Sequence, residues 1–344
     1  GRDDSGIKAF FASRRREKKA LPIVPAEDKT ILFNEIEKLS PQRKLLEGQE
    51  FTVYYARASE IPHVLREIGR LREITFREVA EGTGTAIDLD SFDNYYYHLF
   101  IWSNEKHEVV GAYRIGKTDV ILRKFGKRGL YTSTLFDYHD SLLEQISPAL
   151  EMGRSFIRKE YQRSYTALLL LWRGIGQFVV NNPKYNRLFG PVSINSEYES
   201  ISRRLIITFL RSNNYMPELA KLIKARNPMK MRPVRGLDKD LTNRVVSSLE
   251  DINDLLAEIE SKQKAVPVLL RQYLKLGGKL LAFNVDPNFG NVLDGLLLVD
   301  LLETDEKLLE RYVGKPGAKT FFEYHKEHRH QRRTGIIQAT DDHE

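Results

Sequence analysis

The 344-residue chain contains no cysteine. That absence excludes disulfides, thiolate zinc sites and a cysteine nucleophile together. Any group transfer on this chain would run directly or through another nucleophile. Long hydrophobic runs are missing as well. The longest, Ala167 to Trp172, is closed by Arg173 and suits a buried helix; a spanning helix needs about 18 or more apolar residues. The first 20 residues hold Arg14, Arg15 and Arg16 but lack the apolar stretch of a signal peptide. The expected location is the cytoplasm or the inner face of the cytoplasmic membrane.

Charge is present and unevenly placed. The net charge is +7, and residues 221–244 hold eight basic residues against Asp238 and Asp240, a local +6. The eight are Lys221, Lys224, Arg226, Lys230, Arg232, Arg235, Lys239 and Arg244. Such a window attracts an acidic protein, anionic lipid or nucleic acid; otherwise it is a solvated loop.

Residues 1–50 read as a basic linker or extension, and the opening without Met suggests a piece of a longer protein or a processed form. Residues 51–315 read as the globular domain and 316–344 as a flexible, His-rich tail. Phe51 to Ala56 is β-like. Ser59 then reads as an N-cap, with Ile61, Val64, Leu65, Ile68 and Leu71 at helical spacing. His98 to Trp102 and Val109 to Ile115 form a hairpin around a polar loop. Leu130 to Phe136 and Ala149 to Ile157 are further strands. A long apolar helix runs from about Tyr165 to Val180 and stops at Asn181-Asn182-Pro183. Leu188 to Ile194 is a strand, Ser200 to Arg211 a helix, and Leu280 to Val285 pairs with Val292 to Leu301. Tight turns between strands argue for a mixed α/β (α+β) sheet rather than a doubly wound one.

Glu151-Met152-Gly153-Arg154 is the sharpest chemical signal. Residues three apart on a regular strand face opposite sides. A bulge at Gly153 would turn Glu151 and Arg154 to one face and splay the strand from its neighbour. Charges inside a strand are costly unless paired or functional; the alternative is a structural ion pair. The polar turn Arg158 to Tyr165 leads into the apolar helix, whose N-terminus suits a phosphate. Arg72 and Phe76, Asp90 and Asp93, and Arg114 could form a self-neutralising cluster or a surface salt-bridge set.

In order and spacing, Leu71-Arg72-Glu73-Ile74-Thr75-Phe76, Asp90-Ser91-Phe92-Asp93, Gly111-Ala112-Tyr113-Arg114 and Glu151-Met152-Gly153-Arg154-Ser155-Phe156 resemble the acyl-homoserine-lactone synthases. The chain is more similar to the bacterial N-acyltransferases of ornithine- and glycine-lipid synthesis, often labelled hemolysin-like. That group also shows Leu171-Trp172-Arg173-Gly174-Ile175, Leu188-Phe189-Gly190-Pro191-Val192-Ser193 and Val285-Asp286-Pro287-Asn288-Phe289. Both groups belong to the GNAT superfamily, and the likeness covers roughly residues 50–315. Two departures bear on the choice. The Trp that follows the Phe76 position in lactone synthases is absent, and Glu81-Gly82-Thr83-Gly84-Thr85 stands there instead. The lipid branch is often fused to a glycerophospholipid acyltransferase domain with a His-x4-Asp motif. This chain has no such motif; His139 is followed at that spacing by Glu144.

The resemblance implies a GNAT-type, mostly antiparallel, splayed sheet flanked by helices. It implies a site built by Arg72, Asp90, Asp93, Arg114 and Arg154, with Glu151 as general base for the amine. Substrate contacts are expected from Phe76, Ser155, Phe156, Arg158, Gln162, Arg163 and Ser164. A long acyl chain would pass from an acyl-ACP or acyl-CoA thioester to an amino-acid amine by direct aminolysis. Leu168 to Val180 and the strands around Leu281 and Leu297 would hold that chain. No tightly bound cofactor, metal or nucleic-acid partner is expected, His325, His328 and His330 included. Residues 221–244 would dock an acidic acyl carrier protein or, failing that, anionic membrane. The alternatives are a lactone synthase and a non-catalytic membrane- or nucleic-acid-binding module.

Overall fold

The computed structural model describes residues 20–194, 198–229, 248–259 and 266–334. Its strands are β1 (Lys44–Leu46), β2 (Phe51–Arg57), β3 (Tyr97–Ser103), β4 (Glu108–Lys117), β5 (Phe136–Tyr138), β6 (Ala149–Ile157), β7 (Arg187–Ile194), β8 (Ile223–Ala225), β9 (Lys279–Asp286) and β10 (Val292–Asp300). The described helices are α1 (Lys29–Glu37), α2 (Pro62–Glu78), α3 (Thr118–Phe125), α4 (Asp140–Ile146), α5 (Thr166–Asn181), α6 (Ser200–Asn213), α7 (Pro217–Ala220), α8 (Leu249–Ile259), α9 (Val268–Lys275) and α10 (Glu306–Thr334). Eight strands make one sheet in the order β1-β2-β3-β4-β6-β7-β10-β9, and β5 pairs with β8 apart from it. This is a GNAT-like mixed α/β fold with a mostly antiparallel sheet.

Alternation along β3 shows how the layers form. Phe100 and Trp102 join Val64, Ile68 and Leu71 of α2 on one face, together with Leu32 and Ile36 of α1. Leu99 and Ile101 face the other way, into a core with Leu171, Ile175 and Phe178 of α5. Period-2 burial on the strands thus meets helical stripes on both sides.

The pairing that matters most is β6 with β7. It is the parallel pair of the sheet, and its register covers only Ala149–Arg187, Leu150–Leu188 and Glu151–Phe189. Beyond that point β6 continues to Ile157 and β7 to Ile194 without pairing to each other. Gly190 sits where they part: a Cβ there would lie 2.1 Å from the Met152 carbonyl oxygen. Only glycine permits that approach.

Several sequence expectations change. Within 1–50, the described part is integral to the domain rather than a linker. Asp28 caps α1, Leu32 and Ile36 are buried, and the Leu21 and Val24 amides bond to Gly84 and Ala86. Ser59 does not cap α2; it lies in a 3-10 turn, and Pro62 opens the helix. Leu130 to Phe136 is mainly the 3-10 turn Tyr131–Thr134, leaving only the short β5. The stretch 316–334 is helical, with Ala318 and Phe321 buried and α10 packed on α5. Its polar composition conceals an apolar stripe narrow enough to be overlooked. No helix among the described residues is long and apolar enough to cross a membrane.

Candidate active site

The site begins with an irregularity in β6. Against β4, Arg114 pairs with Gly153 and Ala112 with Phe156, so β6 carries one extra residue over that interval. Arg154 absorbs it at φ 52°, a left-handed conformation that is costly for a non-glycine residue. The bulge puts Arg154 on the face that holds Arg114 and Glu151. Both guanidinium carbons lie 4.9 Å from the Tyr131 ring centre, and the Tyr131 amide donates to Glu151 Oε2 at 3.1 Å.

A cavity of about 580 Å³ fills the divergence of β6 and β7. Gly153 to Ile157 form one wall and Pro191 to Ser193 the other, with Phe76 of α2 and Leu168 of α5 alongside. Gln162, Arg163, Ser164 and Tyr165 stand at the N-terminus of α5, where no side chain caps the helix. Val268, Leu269, Phe289 and Val292 make much of the apolar lining, with Asp286 and Asp294 among them. The volume falls in the range of roughly 300–1,000 Å³ usual for ligand sites.

Beside the cavity lies a largely buried ionic cluster of three arginines and three aspartates, with Asp90 its most exposed member. Arg72 donates to Asp93 at 2.8 Å, and Arg114 contacts Asp90 at 2.6 Å and Asp93 at 3.2 Å. Arg154 reaches Asp88 at 3.5 Å and Asp90 at 3.4 Å. Burial alone would raise the Asp93 carboxyl, but Arg72 and Arg114 outweigh it and hold the group well below its usual range. Burial and the Arg72 charge together depress His98 to about 4, so it is neutral at pH 7. Charges this deep are tolerable only as a closed set.

Residues 71–173 match the acetyltransferase (GNAT) domain family. The chain is 32% identical over 276 residues to a glycine N(alpha)-acyltransferase of Phocaeicola vulgatus, across 76% of this chain and 83% of that one. The chain belongs to this GNAT family of amino-acid N-acyltransferases. It is also 28% identical to an L-ornithine N(alpha)-acyltransferase of Rhodobacter capsulatus, over 76% of this chain and 95% of that one. A solved CoA-dependent acyl-homoserine lactone synthase shares 12% identity with a TM-score of 0.39, over 77% of this chain and 90% of its own.

The expected residues fall into two groups around this cavity. Phe76, Ser155, Phe156, Gln162, Arg163 and Ser164 all line the cavity, whereas Arg158 turns away to Glu108 and Glu160, each at 3.2 Å. Of the residues expected to carry catalysis, only Arg154 lines it. Arg72, Asp90, Asp93 and Arg114 form the supporting cluster next to it. Glu151 is buried and absent from the cavity wall. Tyr131 and Thr132 cover it, and it accepts from the amides of both and from the hydroxyls of Tyr96 and Thr132. The 3-10 turn that replaced the expected strand is what closes Glu151 off. Leu281 and Leu297 are packed solidly elsewhere, and of the α5 stretch only Leu168 reaches the cavity.

Sequence reasoning missed Asp88, Tyr131, Thr132 and Asp294. Asp294 sits within the apolar β10, whose other acid, Asp300, is its last residue, and a charge inside a buried strand is the signal that could have found it. Ser193 donates to it at 2.9 Å, and burial pushes its carboxyl up to about 7. Of the basic window, 230–244 lies outside the described residues. Lys221 pairs with Glu218, while Arg226 contacts Asp137 at 2.5 Å and bonds to the Ser133 carbonyl. Arg226 is therefore held against the domain while remaining exposed. His325 bonds to the Pro183 carbonyl and His328 to that of Tyr324.

Proposed function

We propose that this protein transfers a long acyl chain from a carrier thioester to the amine of an amino acid, in the synthesis of an aminolipid. The observation that carries this reading is the cavity opened by the divergence of β6 and β7, with the uncapped N-terminus of α5 at its rim. The edge of β6 beyond Glu151 has no ladder partner on the β7 side. A thioester lying along that edge can take hydrogen bonds from it as an added strand would. A phosphate of the donor's arm would meet the free amides and positive dipole end of α5, beside Arg163.

The acyl chain would lie against Leu168, Val268, Leu269 and Val292. Attack by the amine places negative charge on the thioester oxygen, and an amide of the open β6 edge would receive it. Glu151 acts at one remove: it holds Tyr131, part of the cavity wall, in position. The glycine and ornithine acyltransferase relatives support an amino acid as acceptor. The +6 of residues 221–244 supports delivery by an acidic carrier protein. The test is mass spectrometry of products from purified protein with a long-chain acyl-CoA or acyl-carrier thioester and glycine or ornithine. An N-acyl amino acid formed with one thiol per amide supports the reading. Thioester hydrolysis alone, or a lactone product, overturns it.

A further inference from the structure

The cavity wall opposite β6 carries two carboxylates, Asp286 and Asp294. Register places Ser193 opposite Asp294, and Asp286 opposite Val292, so all four share a face. All four line the cavity. The Ser193 hydroxyl is the one hydrogen-bond donor Asp294 has among the described residues. Asp286 is engaged through Oδ1, by the amide of Asn288 at 2.9 Å. Both aspartates are buried.

Across from them stands Arg154. Its guanidinium lies 4.3 Å from the Phe289 ring centre, which ties it to the turn that follows Asp286. Its only side-chain hydrogen bond among the described residues is long, 3.4 Å to Asp90, and its buried Nε makes none, standing 3.5 Å from Asp88 Oδ2 as a loose ion contact. A guanidinium has five N–H donors in a fixed fork suited to a carboxylate. One wall of the cavity thus offers an under-used cation, and the facing wall offers under-used carboxylates. That polarity matches a zwitterion.

We propose that this end of the cavity is the acceptor subsite. Arg154 binds the α-carboxylate of a free amino acid, and Asp294, steadied by Ser193 and flanked by Asp286, holds its α-ammonium and accepts the proton. This rests on the acyl-transfer reading given above. One ammonium proton passes to Asp294, and the neutral amine attacks the thioester carbonyl. The C–S bond breaks and the departing thiolate takes a second nitrogen proton, giving amide and thiol. Asp294 returns its proton to solvent. Asp286 disfavours a second negative charge at Asp294 and Arg154 favours it; Glu81, Tyr113, Tyr131, Arg163 and Tyr165 are the other titratable groups on the cavity wall.

The subsite predicts a preference that needs no mutation to measure. Wild-type protein should use glycine at least about 100-fold better in kcat/KM than glycinamide, although glycinamide is the more easily deprotonated amine. Arg154→Gln should reduce that ratio to near one. Asp294→Asn should lower kcat by roughly 100-fold or more, leave KM for the acyl donor unchanged and remove the rise in rate through pH 7. Saturation-transfer NMR reads glycine against glycinamide binding without turnover. Equal use and equal binding of the two amines, or an Asp294→Asn protein with the wild-type rate and pH profile, overturns the subsite. Glycine binding without any N-acyl product would instead fault the acyl-transfer reading and leave the subsite standing.

Discussion

Thr132 donates both its amide and its hydroxyl to one oxygen of Glu151, while Tyr131 and Tyr96 donate to the other. Four donors converge on a carboxylate that has no place in the cavity wall. This explains why a charged residue sits at the centre of a sheet: it anchors the turn that carries Tyr131. Burial raises the Glu151 carboxyl, opposed by the Thr132 and Tyr96 hydrogen bonds.

Glu151→Gln therefore puts an amide NH2 where two donors already point, a backbone amide and a hydroxyl; the hydroxyl can turn to accept from it and the backbone amide cannot. The expected result is a loss of about 1–3 kcal/mol in stability from one unsatisfied buried donor, read as a lower midpoint in urea. Turnover should fall by less than the roughly 100-fold that removing a general base costs. A fully stable Glu151→Gln protein with turnover down two orders of magnitude would restore the base role.

The pH dependence of Asp294 runs opposite to that of a salt-bridged carboxylate. Its folded value is about 7 against 3.8 for the free group. The fold thus favours the neutral acid. The penalty is absent below about pH 4, grows as pH rises, and is complete above about 7. Asp294→Asn removes it, so the variant should be about 2–4 kcal/mol more stable than wild type at pH 8. The advantage should vanish near pH 4. Equal stability at both pH values would show that Asp294 is solvated and paired in a way the cavity does not suggest.

Gly290, at φ 59°, lies in the turn after Asp286, and a Cβ there would sit 2.2 Å from the Ala80 carbonyl oxygen. That contact joins the turn to the loop after α2, and Phe76 in the last turns of α2 meets Phe289 edge-on with ring centres 6.0 Å apart. Gly290→Val should strain the backbone and push this turn off the cavity. KM for the acceptor should rise at least tenfold, measured at saturating donor. An unchanged acceptor KM would detach the turn from the site.

The basic window makes a partner-specific prediction. Reversing Lys230 and Arg232 to Glu should raise KM for an acyl-carrier donor and leave acyl-CoA kinetics unchanged. Release of the protein from anionic vesicles with unaltered donor KM would assign the window to lipid instead.

Much of the fold was legible because strong periodic signals coincide with long elements. The α2 stripe, the β3–β4 hairpin, the Gly153-region bulge and the α5 helix all carry their own local patterns. The bulge was placed within one residue, yet Arg154, not Gly153, adopts the positive φ. Local pattern could not show that a short turn at Tyr131–Thr134 folds over Glu151, since this depends on contacts 19 and 20 residues apart. Nor could it bring Asp294 and Arg154 to one cavity, because β10 reaches β6 only through β7. Arg158 misled for a simpler reason: its partner Glu108 begins the neighbouring strand.

Gly153 offers the most direct test of where the chemistry occurs. It lines the cavity, its φ is not in the left-handed region, and a Cβ there would meet no atom within 4 Å. Gly153→Trp should therefore fold with a melting temperature close to wild type while filling the space between β6 and β7. The measurement is steady-state acyl transfer by this variant beside its melting curve. The account predicts at least a 100-fold fall in kcat/KM for the acyl donor with thermal stability preserved. Wild-type kinetics in a normally folded Gly153→Trp protein would contradict it, because the thioester would then have to bind elsewhere.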